Sequence, residues 1–295
     1  MAQRAIDARQ RAEQIAAGLP PLLVAARRVA NTVMQGIHGR RQPGPGETFW
    51  QFRRYQAGDP ASLIDWRQSA KSTPLYVREQ EWEAAQSVWL WRDCSPSMAY
   101  ASKGMTETKA ERATLLMLAT AALLLEGGEQ VALLGTGRHP ARGVRALDRL
   151  ASMTLAESAA GASLPPRELL PRYGQIVLIG DLLSPLEEIE AIVRFFSGRG
   201  ILGHLLQVLD PAEETLPFTG RARMIGMEDE GSTLIGKVES VRAAYHQRLE
   251  AQRAGLVAIA RATNWTFIGH RTDRPPETAL LALYLALSGN IGRRR

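Results

Sequence analysis

The chain carries one cysteine, Cys94, in 295 residues. No disulfide can close within it, and its stability must come from packing, as suits a reducing compartment. No apolar run is long enough for a membrane either. The longest, Leu115 to Leu125, includes Thr120 and is bounded by Arg112 and Glu126. It falls well short of the roughly 20 residues that a transmembrane helix needs and reads as a buried helix. Residues Met1 to Gln14 mix Arg4, Arg9 and Arg11 with Asp7 and Glu13 and lack the apolar stretch of a secretory signal, so a cytoplasmic location is expected. The five histidines, His38, His139, His204, His246 and His270, show no metal-ligand spacing, and no zinc site is expected. Aromatic residues are scarce at 6%, so five of them between Phe49 and Trp66 stand out.

What the chain does have is the composition of an ordinary folded protein, 45% apolar and 22% charged. Its length suits one large α/β domain with an appended subdomain, or two small domains. The net charge of +6 is unevenly placed. Residues 1–80 hold 12 Lys and Arg against 6 Asp and Glu, whereas the remainder balances at 24 against 24. Such asymmetry is compatible with a nucleic-acid or acidic protein partner, but a functional polybasic patch is usually denser, which favours a solvated basic face.

Leu22, Leu23, Ala26, Val29, Ala30 and Val33 recur at helical spacing after Pro20-Pro21, predicting an amphipathic helix from Leu22 to about Gln35. Residues 36–48, rich in Gly and Pro, read as a linker. Beyond them, β-type runs at 75–78, 88–91, 130–134, 176–179, 204–209 and 266–269 alternate with helical patterns at 108–126, 186–196, 238–262 and 277–287. Strands alternating with helices predict βαβ units. The fold expected is a doubly wound, mostly parallel, Rossmann-like α/β sheet over 84–290, with an N-terminal helical segment over 1–38 and a small subdomain over 39–83.

The apolar strand Val88-Trp89-Leu90-Trp91 runs into Asp93-Cys94-Ser95-Pro96-Ser97. A carboxylate and two hydroxyls at alternate positions on a tight turn can aim three oxygens at one point. Asp181 follows the later strand Ile176-Val177-Leu178-Ile179. Ligands of open α/β sheets sit beyond the carboxyl ends of the strands, and two aspartates meeting there repel unless a cation lies between them. Hard divalent cations such as Mg²⁺ prefer oxygen donors and retain waters, leaving a position for a partner's carboxylate. The stretch suggests a metal-dependent adhesion site. Asp and Ser are also ordinary turn and capping residues. Cys94 between them reads as a small turn residue, with no histidine near it in sequence to activate a thiol.

The run Arg53-Arg54-Tyr55-Gln56-Ala57-Gly58-Asp59-Pro60, followed by Ile64-Asp65-Trp66-Arg67-Gln68-Ser69-Ala70-Lys71 and Leu75-Tyr76, resembles the signature of a bacterial family of unknown function with a von Willebrand factor A-like core. The likeness continues in Asp93-Cys94-Ser95-Pro96-Ser97-Met98 and Asp210-Pro211-Ala212-Glu213, and covers about Gly39 to Leu287. It implies a von Willebrand factor A-type sheet and a metal-ion-dependent adhesion site holding Mg²⁺ or another divalent cation, with Asp93, Ser95 and Ser97 on the first loop and Asp181 on the third. For the hydroxyl of the second loop the nearest match is Ser163, with Thr154 an alternative. Many relatives carry N-terminal membrane spans, and none is readable here. The family commonly accompanies MoxR-type AAA+ ATPases, which implies an adaptor in ATP-driven assembly or remodelling.

The resulting expectation is a non-enzymatic protein-interaction module whose partner is a MoxR-type ATPase or a client offering an acidic residue. Arg53, Arg54, Tyr55, Asp59, Trp66 and Arg67 are candidate partner contacts, although aromatic residues at this density are more often packed than displayed, which favours a structural cap. The alternative is a nucleic-acid-binding protein using the basic N-terminal segment. A hydrolase with Asp93 as nucleophile is disfavoured, because no general acid accompanies Asp93 in sequence.

Overall fold

Val88, Trp89, Leu90 and Trp91 are all buried, which explains why their strand shows no polar alternation: it is covered on both faces. The computed structural model describes residues 26–34, 49–54, 64, 66–70, 75–80, 86–156, 161–228 and 231–292. They fall into two compact units, one spanning 40–85 and the other the rest of the chain.

The larger unit is built on five parallel strands, β3 (Ser87–Arg92), β4 (Gln130–Leu133), β5 (Gln175–Gly180), β6 (Leu202–Leu209) and β9 (Thr266–Arg271), in the order β4-β3-β5-β6-β9. The first strand of this sheet in sequence therefore lies second, and the order reverses between β3 and β5. Successive side chains point to opposite faces, and the sheet accordingly divides two cores. Val88, Leu90, Val131, Leu133, Val177, Ile179, Leu206 and Val208 pack against α3 (Lys109–Glu126), α4 (Val144–Ala156), α8 (Pro276–Gly292) and the helix α1, described over 26–34. Trp89, Trp91, Ala132, Ile176, Leu178 and Leu205 pack against α5 (Leu186–Ser197) and α7 (Val238–Ala262). Gly203 is needed where it stands, since a Cβ there would lie 2.2 Å from the ring of Trp265.

The apolar run Leu115–Leu125 forms the C-terminal part of α3 and is buried almost all round. Its first turn is closed by a capping box. Thr108 accepts from Glu111 N at 3.2 Å while Glu111 accepts from Thr108 N at 2.7 Å. Several elements of this unit went unpredicted. α4 carries the helical stripe Ala146, Leu147, Leu150 and Ala151, but it follows a Gly- and Pro-bearing stretch that reads as loop. The hairpin β7 (Ala222–Ile225) and β8 (Ser232–Ile235) is mostly exposed, with Ala222, Met224 and Ile235 only half-buried. The short helix α6 (Pro211–Thr215) starts at Asp210. Among the described residues no helix is long and apolar enough to cross a membrane.

In the smaller unit β1 (Phe49–Arg54) pairs antiparallel with β2 (Tyr76–Gln80), with a bulge between Phe49 and Gln51. The short helix α2 (Trp66–Ser69) is joined to β2 through Ser69 Oγ, which accepts from Tyr76 N at 2.8 Å. The predicted linker at 36–48, the start of the first helix and the terminal arginines lie outside the described residues.

Candidate functional site

Three consecutive strands of the sheet, β3, β5 and β6, each lead at their carboxyl end into a buried aspartate: Asp93, Asp181 and Asp210. Asp93 N donates to Ile179 O at 2.8 Å, extending the β3–β5 ladder by one residue and fixing the carboxylate at the rim. Asp93 is 1% exposed. Its Oδ1 accepts from Ser95 N at 2.8 Å and Ser95 Oγ at 2.6 Å. Pro96 then starts a 3-10 turn to Ala99 that buries Met98 and carries Ser97.

The hydroxyls complete a continuous run. Ser95 Oγ lies 3.0 Å from Ser97 Oγ, and Ser97 Oγ donates to Asp181 Oδ2 at 2.8 Å. Asp93, Ser95, Ser97 and Asp181 thus gather at the reversal of strand order, where open α/β sheets place their ligands. Gly180 makes this possible: a Cβ there would lie 2.7 Å from Asp93 Cβ. Asp181 is held from behind by Leu183 N on Oδ1 at 3.2 Å, and by Gln207 Nε2 on its backbone oxygen at 2.9 Å. Gln207 is in turn held by Arg253 Nε at 3.0 Å.

One charged residue that sequence reasoning missed stands at the centre. Lys109, the first residue of α3, is fully buried, and its Nζ donates to Asp181 Oδ2 at 2.9 Å and to Glu213 Oε1 at 2.6 Å. Glu213 closes the capping box of α6, its Oε2 accepting from Asp210 N at 2.9 Å. Asp210 accepts from Ala212 N at 2.8 Å and from Ser102 N at 2.9 Å. A signal for Lys109 did exist. A cation in the first turn opposes the helix dipole, so a lysine there asks for a partner. The Asp-Pro-x-Glu spacing at 210–213 is itself a capping signature.

The electrostatics are lopsided. Burial pushes the Asp93 carboxyl up to about 7, with Asp181 and Glu228 adding repulsion and the hydrogen bonds from Ser95 opposing it. Burial also works against the Lys109 charge, but Asp181 and Glu213 outweigh it and hold the ammonium above its ordinary value. Glu213 shares that one cation and is left raised by burial. A single ammonium among three carboxylates leaves an uncompensated negative charge. The donors at Asp93, Ser95, Ser97 and Asp181 are oxygen throughout, which fits a hard cation that keeps several waters. Among the described residues no three His, Cys, Asp or Glu gather as a metal-binding group, so any such site depends on the hydroxyls.

The remaining candidates lie elsewhere. The loop before Ser163 touches the cluster through Gly161 N, which donates to Cys94 O at 3.2 Å. Among the described residues no hydrogen bond joins Ser163 to the four oxygens. Thr154 lies within α4, and its hydroxyl donates to Leu150 O at 2.9 Å. Cys94 Sγ contacts Arg92 O at 3.4 Å. Arg53 and Arg54 end β1, Trp66 and Arg67 are exposed on α2, and Tyr55 and Asp59 lie outside the described residues. Trp66 is 64% exposed. Most of the basic segment 1–80 also lies outside the described residues.

An uncharacterized protein of Mycobacterium bovis and one of Mycobacterium tuberculosis are each 26% identical to this chain over 282 residues, covering 88% of it and 86% of the relative. Two solved structures each align with 70% of the chain at a TM-score of 0.39. One is a conserved hypothetical protein, BatB from Bacteroides thetaiotaomicron, at 16% identity over 98% of its length. The other is an aerotolerance-related membrane protein from Bacteroides fragilis, at 19% identity over its full length. The profile of the family described as protein of unknown function DUF58 matches residues 51–255, well over half of the sequence, and the chain belongs to that family.

Proposed function

We propose that this protein is a non-enzymatic interaction module in which a divalent cation, Mg²⁺ in the first instance, links the sheet rim to an acidic side chain of another protein. The observation that carries this reading is the unbroken hydrogen-bonded run Asp93–Ser95–Ser97–Asp181 at the strand-order reversal. Asp93, Ser95, Ser97 and Asp181 would hold the ion, the two carboxylates also balancing its charge. The ion supplies a positive centre with coordination positions to spare, suited to a partner's Asp or Glu. The excess negative charge around Asp93 supports the same assignment, because it is the deficit that a dication offsets. The finer likeness to a von Willebrand factor A domain, with its metal-dependent adhesion loops, belongs to this proposal, as does the partner class, a MoxR-type AAA+ ATPase or its client.

The test is recovery of a MoxR-type ATPase from the native host on immobilised wild type and Asp93→Ala, each with and without chelator. Capture by metal-replete wild type alone is the expected result. Equal recovery under all four conditions overturns the proposal.

A further inference from the structure

We infer that Lys109 is a tethered competitor for the cation site, an inference that rests on the metal reading above. Its ammonium and the Ser97 hydroxyl converge on one atom, Asp181 Oδ2, at 2.9 and 2.8 Å. That oxygen therefore already faces a full positive charge, delivered from the protein side by a side chain with no solvent exposure. A dication drawn to Ser95, Ser97 and Asp181 brings a second charge to the same carboxylate, and two cations a few ångströms apart in a poorly screened interior repel strongly.

Lys109 has somewhere to go. Glu213 Oε1 holds it at 2.6 Å, and the other oxygen of Glu213 is pinned by Asp210 N at 2.9 Å, so this second carboxylate stays in place whatever happens at Asp181. The start of the lysine side chain is fixed as well, since Lys109 N donates to Tyr100 O at 3.1 Å. The ammonium is thus held between two anchored carboxylates, one belonging to the cation site and one behind it. Loading the site shifts Lys109 from a shared position to Glu213 alone, and unloading returns it. Helix formation gives no reason for the residue, because the first turn of α3 disfavours a cation. Its consequence is an affinity for divalent ions below what the oxygen donors alone would give, together with a rim that stays ordered without the ion.

The experiment is titration of the full chain with Mn²⁺, followed by the paramagnetic resonance signal of the free ion, and with Mg²⁺ by calorimetry. It compares wild type, Lys109→Met and Lys109→Met/Glu213→Gln; the double variant removes the carboxylate that the single one strands, and circular dichroism checks that each is folded. Both variants are expected to bind Mn²⁺ more tightly than wild type, at least about tenfold for Lys109→Met, which removes a net unit of positive charge beside Asp181, and by less for the double variant, which removes the negative charge of Glu213 with it; both are expected to lose that binding when Asp93→Ala is added. Binding by either variant but not by wild type supports the same competition in its strongest form. Equal or weaker binding by Lys109→Met, alongside clear binding by wild type, overturns the competition and leaves the metal reading standing. Absence of binding in all three proteins overturns both.

Discussion

Asp93 is a carboxylate kept at the edge of ionisation by its surroundings, and this has a measurable sign. Its folded pKa of about 7 lies above the ordinary 3.8. Between those values the native state holds a proton that the unfolded chain has released, so stability contributed by this group is complete below pH 4 and is lost as the pH rises through 7. In metal-free buffer, Asp93→Asn is therefore expected to be more stable than wild type at pH 8, by about 2–4 kcal/mol, with the difference shrinking steadily toward pH 4. Urea denaturation at a series of pH values checks this. A pH-independent difference would mean that the amide acts through packing. Among individual residues, Asp93, Ser95, Ser97 and Asp181 were legible because each follows a run of buried β-formers at a spacing that a turn can converge. Lys109 was not, because lysines are ordinarily solvated and only the fold brings Asp181 and Glu213 to it.

At the scale of single elements, α3 connects packing to chemistry. Its capping box with Thr108 and Glu111 sets the first turn, and the very next residue after the cap is Lys109. Thr108→Ala is expected to cost about 1 kcal/mol of global stability, read as a shifted denaturation midpoint at constant slope. A null effect would mean that Glu111 alone maintains the turn. The long elements β3, α3, β5, β6 and α7 were readable because their apolar runs are continuous or clearly periodic. α4 was not, since its stripe at Ala146, Leu147, Leu150 and Ala151 leans on small residues with little contrast. The hairpin β7–β8 was hidden by a different cause: four-residue strands with one face no more than half-buried carry little pattern to find.

For the molecule as a whole, alternation along each strand divides the interior into two cores that meet only at the sheet. Leu90, fully buried beside α3, is expected to lose about 2–5 kcal/mol on Leu90→Ala. Ile225, 71% exposed on the hairpin, should change by no more than about 0.5 kcal/mol on Ile225→Ala. Thermal or denaturant unfolding of both variants distinguishes them, and comparable losses would imply that the hairpin is covered by another part of the protein. Parallel βαβ architecture follows from the sequence, because strands and helices alternate. The order β4-β3-β5-β6-β9 does not, since pairing partners are chosen by side-chain fit between distant segments rather than by local pattern. Yet this order is what sets Asp93 beside Asp181.

β3 is gripped from both sides, Val88 and Leu90 by one core and Trp89 and Trp91 by the other. Sliding or tilting it would disrupt both packings at once, so the loop it launches has little freedom to search. A partner of the kind proposed would meet a stiff receptor. Encounter kinetics should then be governed by diffusion and by shedding of hydration water rather than by remodelling of the loop.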